Sequence, residues 1–154
     1  MSTPAPGFGL DVIGQIAINV HDVDRAVAYY RDVLGMRFLF SAGPTMAFFD
    51  CGGVRLMLGV ASEPRFDHPA SILYYRVDDI RTAFATLKER GALVEREPGL
   101  TATLGAHELW IGFLRDSEGN LLARMSEVRV PKACARTPSG WGRGGGCALS
   151  RDAA

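Results

Sequence analysis

Ile16-Ala-Ile-Asn-Val-His-Asp22-Val-Asp-Arg-Ala-Val-Ala28 and Leu73-Tyr-Tyr-Arg-Val-Asp-Asp79-Ile-Arg-Thr-Ala-Phe-Ala85 are two copies of one pattern, set 57 residues apart, with Gly35 and Gly91 closing the copies. A fixed-period repeat outranks any local reading of a chain. Each copy opens with the alternation of a strand and reaches an aspartate, Asp22 or Asp79, suited to cap a helix N-terminus. Apolar residues at helical spacing then run to a terminating glycine. Helices are predicted near residues 22–34 and 79–90.

The similarity continues downstream. Residues 36–41 and 92–97 each supply one short strand. Met46-Ala-Phe-Phe-Asp50, a Cys51-Gly52-Gly53 turn and Val54-Arg-Leu-Met-Leu58 form one hairpin; Leu109–Leu114, an Asp116-Ser-Glu-Gly-Asn120 turn and Leu121–Met125 form the other. The unit is βαβββ, present twice, and the predicted fold class is α+β: two such modules whose mixed sheet curves around a cleft. A single domain is expected over 11–130, with modules at 11–60 and 71–130 joined by a loop at 61–70. Residues 1–10, with Pro4, Pro6, Gly7 and Gly9, and the glycine-rich stretch 131–154 lack apolar periodicity and read as disordered ends.

Composition narrows the function. The chain has 154 residues, 47% of them hydrophobic, with 17 basic against 17 acidic side chains. That balance gives no electrostatic footprint for nucleic acid or an anionic membrane. No leader-like segment and no apolar run of membrane-spanning length is present, so a cytoplasmic protein is expected. Cys51, Cys134 and Cys147 have no CxxC spacing and read as reduced thiols. Dinucleotide, P-loop and nucleophile-elbow motifs are absent, and Asp116–Asn120 is too short for a calcium loop.

Residues Gln15–Gly35 resemble the opening of the vicinal oxygen chelate superfamily, and Phe113–Glu127 resembles its closing hairpin. That superfamily includes glyoxalase I, bleomycin-resistance proteins, fosfomycin-resistance enzymes, methylmalonyl-CoA epimerase and extradiol dioxygenases, so the resemblance specifies a fold more narrowly than a function. Its metal-dependent members place His or Gln on each module's first strand and Glu on each fourth strand. Carried over, those positions are Gln15, Arg55, Ile72 and Ala123. Of these only Gln15 could ligate, and Arg55 would set a fixed positive charge where the ion belongs. The expectation is therefore no metal and no other cofactor.

Strand parity turns Ile16, Ile18 and Val20 toward the helix, with Leu73, Tyr75 and Val77 as counterparts. The opposite face then holds Gln15, Asn19, Tyr74 and Arg76, and the resemblance implies that Arg55, Met57 and Met125 of the fourth strands share it. With Trp110 as an added wall, these eight residues form the expected ligand pocket, in which Arg55 and Arg76 anchor a carboxylate or another acidic oxygen group. His107 and Glu108 are the best acid/base candidates by residue type, and equally fit a polar start to a strand. Two functions stand: a metal-free binder of a small organic, oxyanion-bearing ligand, or a lyase or isomerase of glyoxalase type with an unrecognised metal or acid/base set. The resemblance also implies a homodimer.

Overall fold

The computed structural model describes residue 10 and residues 12–130. The expectations for the chain ends, including Cys134 and Cys147, lie outside the described residues. In chain order the elements are β1 (Gln15–Asn19), α1 (Val23–Ala28) continued by a π-helical turn (Tyr29–Val33), β2 (Arg37–Ser41), β3 (Met46–Cys51), β4 (Val54–Gly59), a 3-10 turn (Pro64–Phe66), β5 (Leu73–Arg76), α2 (Ile80–Glu89), β6 (Leu93–Leu104), β7 (His107–Arg115) and β8 (Leu121–Arg129). They form two four-stranded sheets ordered β1-β4-β3-β2 and β5-β8-β7-β6. In each, the first and last strands of the module pair in parallel and the other neighbours pair antiparallel. The βαβββ repeat is thus the observed architecture.

Local chemistry accounts for the elements. The Asp22 carboxylate accepts from Arg25 N at 2.9 Å. Asp79 accepts from Arg81 N at 3.0 Å, Thr82 N at 3.1 Å and the Thr82 hydroxyl at 2.8 Å. Both satisfy backbone donors that the first helical turn leaves open. Gly52 and Gly53 sit at φ of 62° and 91°, the doubly left-handed geometry that a two-residue hairpin turn of matching twist requires.

The two copies differ by one residue, because the closing glycines are 56 apart while the strands before them are 57 apart. The extra residue is taken up by the π-helical turn, where Leu34 N donates to Tyr29 O at 3.0 Å. Strand β6 runs to Leu104, well past the short strand expected at 92–97, and pairs along β7 through three register shifts. Pro98 and Gly99 interrupt the pattern before this stretch, although Leu100-Thr-Ala-Thr-Leu104 beyond them alternates as a strand does.

One apolar core serves both modules: Ile18, Val20, Phe49, Leu56 and Leu58 of the first are continuous with Ile80, Phe84, Leu114 and Leu122 of the second. Gly112 on β7 lets Phe84 of α2 approach, since a Cβ there would stand 2.4 Å from Phe84 Cζ. The polar link between modules is Asp116, 2% exposed in the β7–β8 turn. Its carboxylate accepts from Glu118 N and Asn120 N at 2.8 Å, Tyr30 Oη at 2.9 Å and Asn120 Nδ2 at 3.0 Å. Burial, then the negative charge of Asp116, pushes the Tyr30 phenol far above its ordinary pKa, so the hydroxyl remains a donor. Beside it, Glu118 accepts from His21 N at 2.8 Å and from Arg25 Nη2 at 2.6 Å.

Two outcomes are expected. Tyr30→Phe should destabilise the fold by about 1.5–3 kcal/mol in urea unfolding, and Asp116→Ala by more, because it strands four donors together. The backbone N–H of Thr82, then its hydroxyl, holds the Asp79 carboxyl below its ordinary 3.8. A depressed native pKa gives stabilisation that is present above the unfolded value and lost as pH falls through the native one. Asp79→Asn should therefore lower stability near neutrality and flatten its decline below about pH 4, read from urea midpoints across pH.

Candidate functional site

The face of each sheet turned away from the helices carries the polar and aromatic side chains. On the first sheet, Gln15 of β1 lies directly opposite Arg55 of β4, and Gln15 Nε2 reaches Met57 Sδ at 3.7 Å. The Arg55 guanidinium stands over the Phe48 ring at 5.9 Å, and Phe48 stacks on Phe40 with centroids 4.7 Å apart. On the second sheet, Tyr74 meets Phe113 edge-on at 6.2 Å, and Arg96 stands over the same Phe113 ring at 4.6 Å.

These two clusters are related by the repeat. Phe48 pairs with Met57 and Phe113 with Ala123, while Ala17 opposite Met57 matches Tyr74 opposite Ala123. Each module therefore presents one aromatic ring on β3 or β7, covered by Arg55 of β4 in the first and by Arg96 of β6 in the second. The same register makes Met57, rather than Arg55, the counterpart of Ala123, and Leu121 the counterpart of Arg55. Neither assignment puts a carboxylate or imidazole at the matched positions of the fourth strands. Among the described residues no group of three or more His, Cys, Asp and Glu side chains is arranged to hold a metal ion. The fit of the family's ion to Gln15, Met57 or Arg55, Ile72 and Ala123 is poor on donor chemistry alone.

The eight expected pocket residues do not all share one environment. Gln15, Arg55, Met57, Tyr74, Arg76 and Met125 stand on the helix-free faces, with Arg76 paired to Met125 across β5 and β8. Arg55 and Arg76 form no ion pair with a described residue, whereas Arg115 pairs with Glu95 at 3.1 Å. Trp110 departs from expectation. It occupies the even-numbered side of β7, packs against the core, lies under Arg81 of α2 at 5.2 Å and donates from Nε1 to Glu108 at 3.1 Å. The reason is parity: the open side of β7 belongs to Leu109, Ile111 and Phe113. Trp110 and Glu108 instead line a cavity of about 430 Å³ at the start of α2.

Asn19 also departs from expectation. Its side-chain amide donates to the carbonyls of Phe66 and His68, and its own carbonyl accepts from Asn120 Nδ2 at 3.3 Å. It straps the inter-module loop to β1 and has no free donor for a ligand. His107 and Glu108 point to opposite sides of β7, so they are not a pair. His107 shares a cavity with Arg76, Asp78 and Glu127. His21 Nε2 lies 3.0 Å from Asp67 in the exposed loop. The sequence reading missed Phe48, Phe113 and Arg96; the equivalence of Phe48 and Phe113 on the two hairpins was the available signal.

Residues 12–123 match the family model described as the Glyoxalase/Bleomycin resistance protein/Dioxygenase superfamily. No curated protein matches the chain. Among solved structures, a superfamily member from Sphaerobacter thermophilus aligns with TM-score 0.63 at 20% identity, covering 76% of this chain and 98% of that one. The Agrobacterium tumefaciens lactoylglutathione lyase gives TM-score 0.61 at 20% identity, covering 77% and 95%. TioX from Micromonospora sp. ML1 gives 0.57 at 23% identity, covering 77% and 100%. At these identities the structural likeness speaks to the fold alone.

If Asn19 is a strap, Asn19→Ala should raise hydrogen–deuterium exchange across residues 66–70 while leaving exchange in β7 and β8 unchanged. Unaltered exchange in that loop would mean that the two carbonyl contacts do not hold it.

Proposed function

Given that the chain belongs to the glyoxalase/bleomycin resistance protein/dioxygenase superfamily, we propose that it binds a small organic molecule with an acidic oxygen group, without the metal used by the superfamily's metal-dependent members. The observation that carries this is the paired arrangement of Arg55 over Phe48 and Arg96 over Phe113 on the helix-free faces. A guanidinium over a ring gains only about 0.5–1 kcal/mol at an exposed site, so these cations keep their capacity for an anion. Arg76 adds a third, and Met57, Met125 and Tyr74 supply adaptable apolar contact. The fixed charge of these arginines would take the place of the positive charge that a metal supplies to ligand oxygens elsewhere in the family. The absence of carboxylate and imidazole donors from the matched positions Arg55 or Met57 and Ala123 supports the metal-free reading.

The same reading covers assembly and membrane contact. No helix among the described residues is long and apolar enough to cross a membrane. A homodimer fits the exposed edge strand β2, where Phe38, Leu39 and Phe40 are 36%, 40% and 48% exposed. A second function, lyase or isomerase chemistry, is favoured by one observation: His107, Glu127 and Arg76 surround a common cavity, which offers an imidazole for acid/base work.

Native mass spectrometry of protein from its own host should show a bound organic ligand and less than stoichiometric divalent metal. Near-stoichiometric nickel, zinc, manganese or iron that is lost on Gln15→Ala would overturn the metal-free reading. Arg55→Leu should weaken the co-purified ligand by about 1.5–3 kcal/mol with an unchanged unfolding midpoint. Turnover of that ligand, abolished by His107→Gln, would establish the enzymatic reading instead.

A further inference from the structure

The repeat is broken inside the core at one cross-strand pair. In the first module Ile18 faces Leu58 across β1 and β4, and both are fully buried. The equivalent pair across β5 and β8 is Tyr75 and Arg124. The Arg124 guanidinium lies 4.9 Å over the Tyr75 ring, half-buried on the helix side of the sheet. Nothing in the topology demands a cation here, since an aliphatic residue fills the matching position.

The surroundings of Arg124 offer it no counter-charge. Arg124, Arg90 and Thr86 line a cavity of about 250 Å³ together with Leu34, Val77 and Leu87. Arg90, at the end of α2, reaches across to the first module, where its Nη1 lies 2.9 Å from the place a Cβ would take on Gly35. The guanidinium groups of Arg25, Arg31, Arg65 and Arg115 each meet a carboxylate. Those of Arg90 and Arg124 meet no acceptor among the described residues. Burial pulls the Arg124 pKa below its ordinary value, yet arginine does not discharge near neutral pH. An unpaired, partly desolvated cation is destabilising, and a well-packed apolar residue of similar size is often better tolerated.

We infer that the groove between the two helix ends is a second anion site, in which Arg124 and Arg90 of the second module hold the carboxylate or phosphate group of a small ligand beside Leu34 of the first. Two guanidinium forks match the oxygens of such a group in a way that a single surface cation does not. Both arginines belong to the second module, and the groove they line is bordered by Leu34 of the first, on the helix side and away from the Arg55 cluster. The inference is independent of the ligand proposed for the open faces.

The test is thermal unfolding of the full chain in inorganic phosphate or acetate against sodium chloride of matched ionic strength. Wild type should show a rise in midpoint with phosphate, acetate or both, beyond that of chloride. Arg124→Met should lose that excess while keeping or exceeding the wild-type midpoint in chloride, and Arg90→Met should weaken the apparent anion affinity roughly tenfold or more. Arg55→Leu should retain the part of the effect that Arg124→Met loses, which separates this site from the open face. No excess in wild type, or an equal excess in Arg124→Met, overturns the inference. If Arg124→Met does not fold, Arg90→Met decides: an unchanged anion response overturns the site, and a weakened one supports it.

Discussion

The buried carboxylate of Asp116 is the constraint on which the arrangement of the two modules depends. A charge that is 2% exposed is tolerable only when its oxygens are saturated, and here four donors saturate them. Two are backbone groups of its own turn, one is the Asn120 side chain, and the fourth is Tyr30 from the other module. The turn is therefore rigid before it meets the first helix. Glu118 and Asn120, fixed by that turn, reach His21, Arg25, Asn19 and Ala70. Sheet pairing within each module leaves their relative placement open, and this cluster, together with the common core, sets it.

The π-helical turn belongs to the same constraint. One residue more than the second module has must be absorbed between the N-cap and the closing glycine, and widening the helix at Tyr29–Val33 absorbs it. Tyr30 falls within that turn, with its hydroxyl on Asp116, while its counterpart Leu87 makes only apolar contact. The deviation from symmetry is thus tied to the contact that joins the modules, in keeping with the tendency of π-turns to mark specific demands on a helix.

Symmetry and its failures also organise the charged groups. Where the copies agree, they produce equivalent features, such as the rings of Phe48 and Phe113 on the open faces, although the arginines over them come from non-equivalent strands, β4 and β6. Where they disagree, chemistry enters: Tyr75 and Arg124 replace Ile18 and Leu58 in the interior. Cations on both sides of the sheets lack carboxylate partners, while the acidic residues of the turns and helix caps are spent on backbone donors and local pairs. A chain with equal numbers of acidic and basic groups therefore offers arginines to a ligand without a net positive charge.

The repeat by itself determined the topology, the strand parity, both helix caps and the two hairpin turns, because each follows from spacing of two or 3.6 residues and from a few turn residues. It also placed Gln15, Tyr74 and Arg76 on one type of face, and the family resemblance added Arg55, Met57 and Met125. Tertiary structure alone decided the rest. Trp110 was drawn into the expected pocket by residue type, yet one-residue parity on β7 turns it to the helix side, where α2 supplies Arg81. Asn19 is on the expected face, but a loop 47 residues away takes its amide. The register of β1 with β4 and of β5 with β8 made Met57 the partner of Ala123, since pairing offsets between distant strands leave no mark on either strand alone. Contacts between segments far apart in sequence depend on packing, and local pattern carries no record of them.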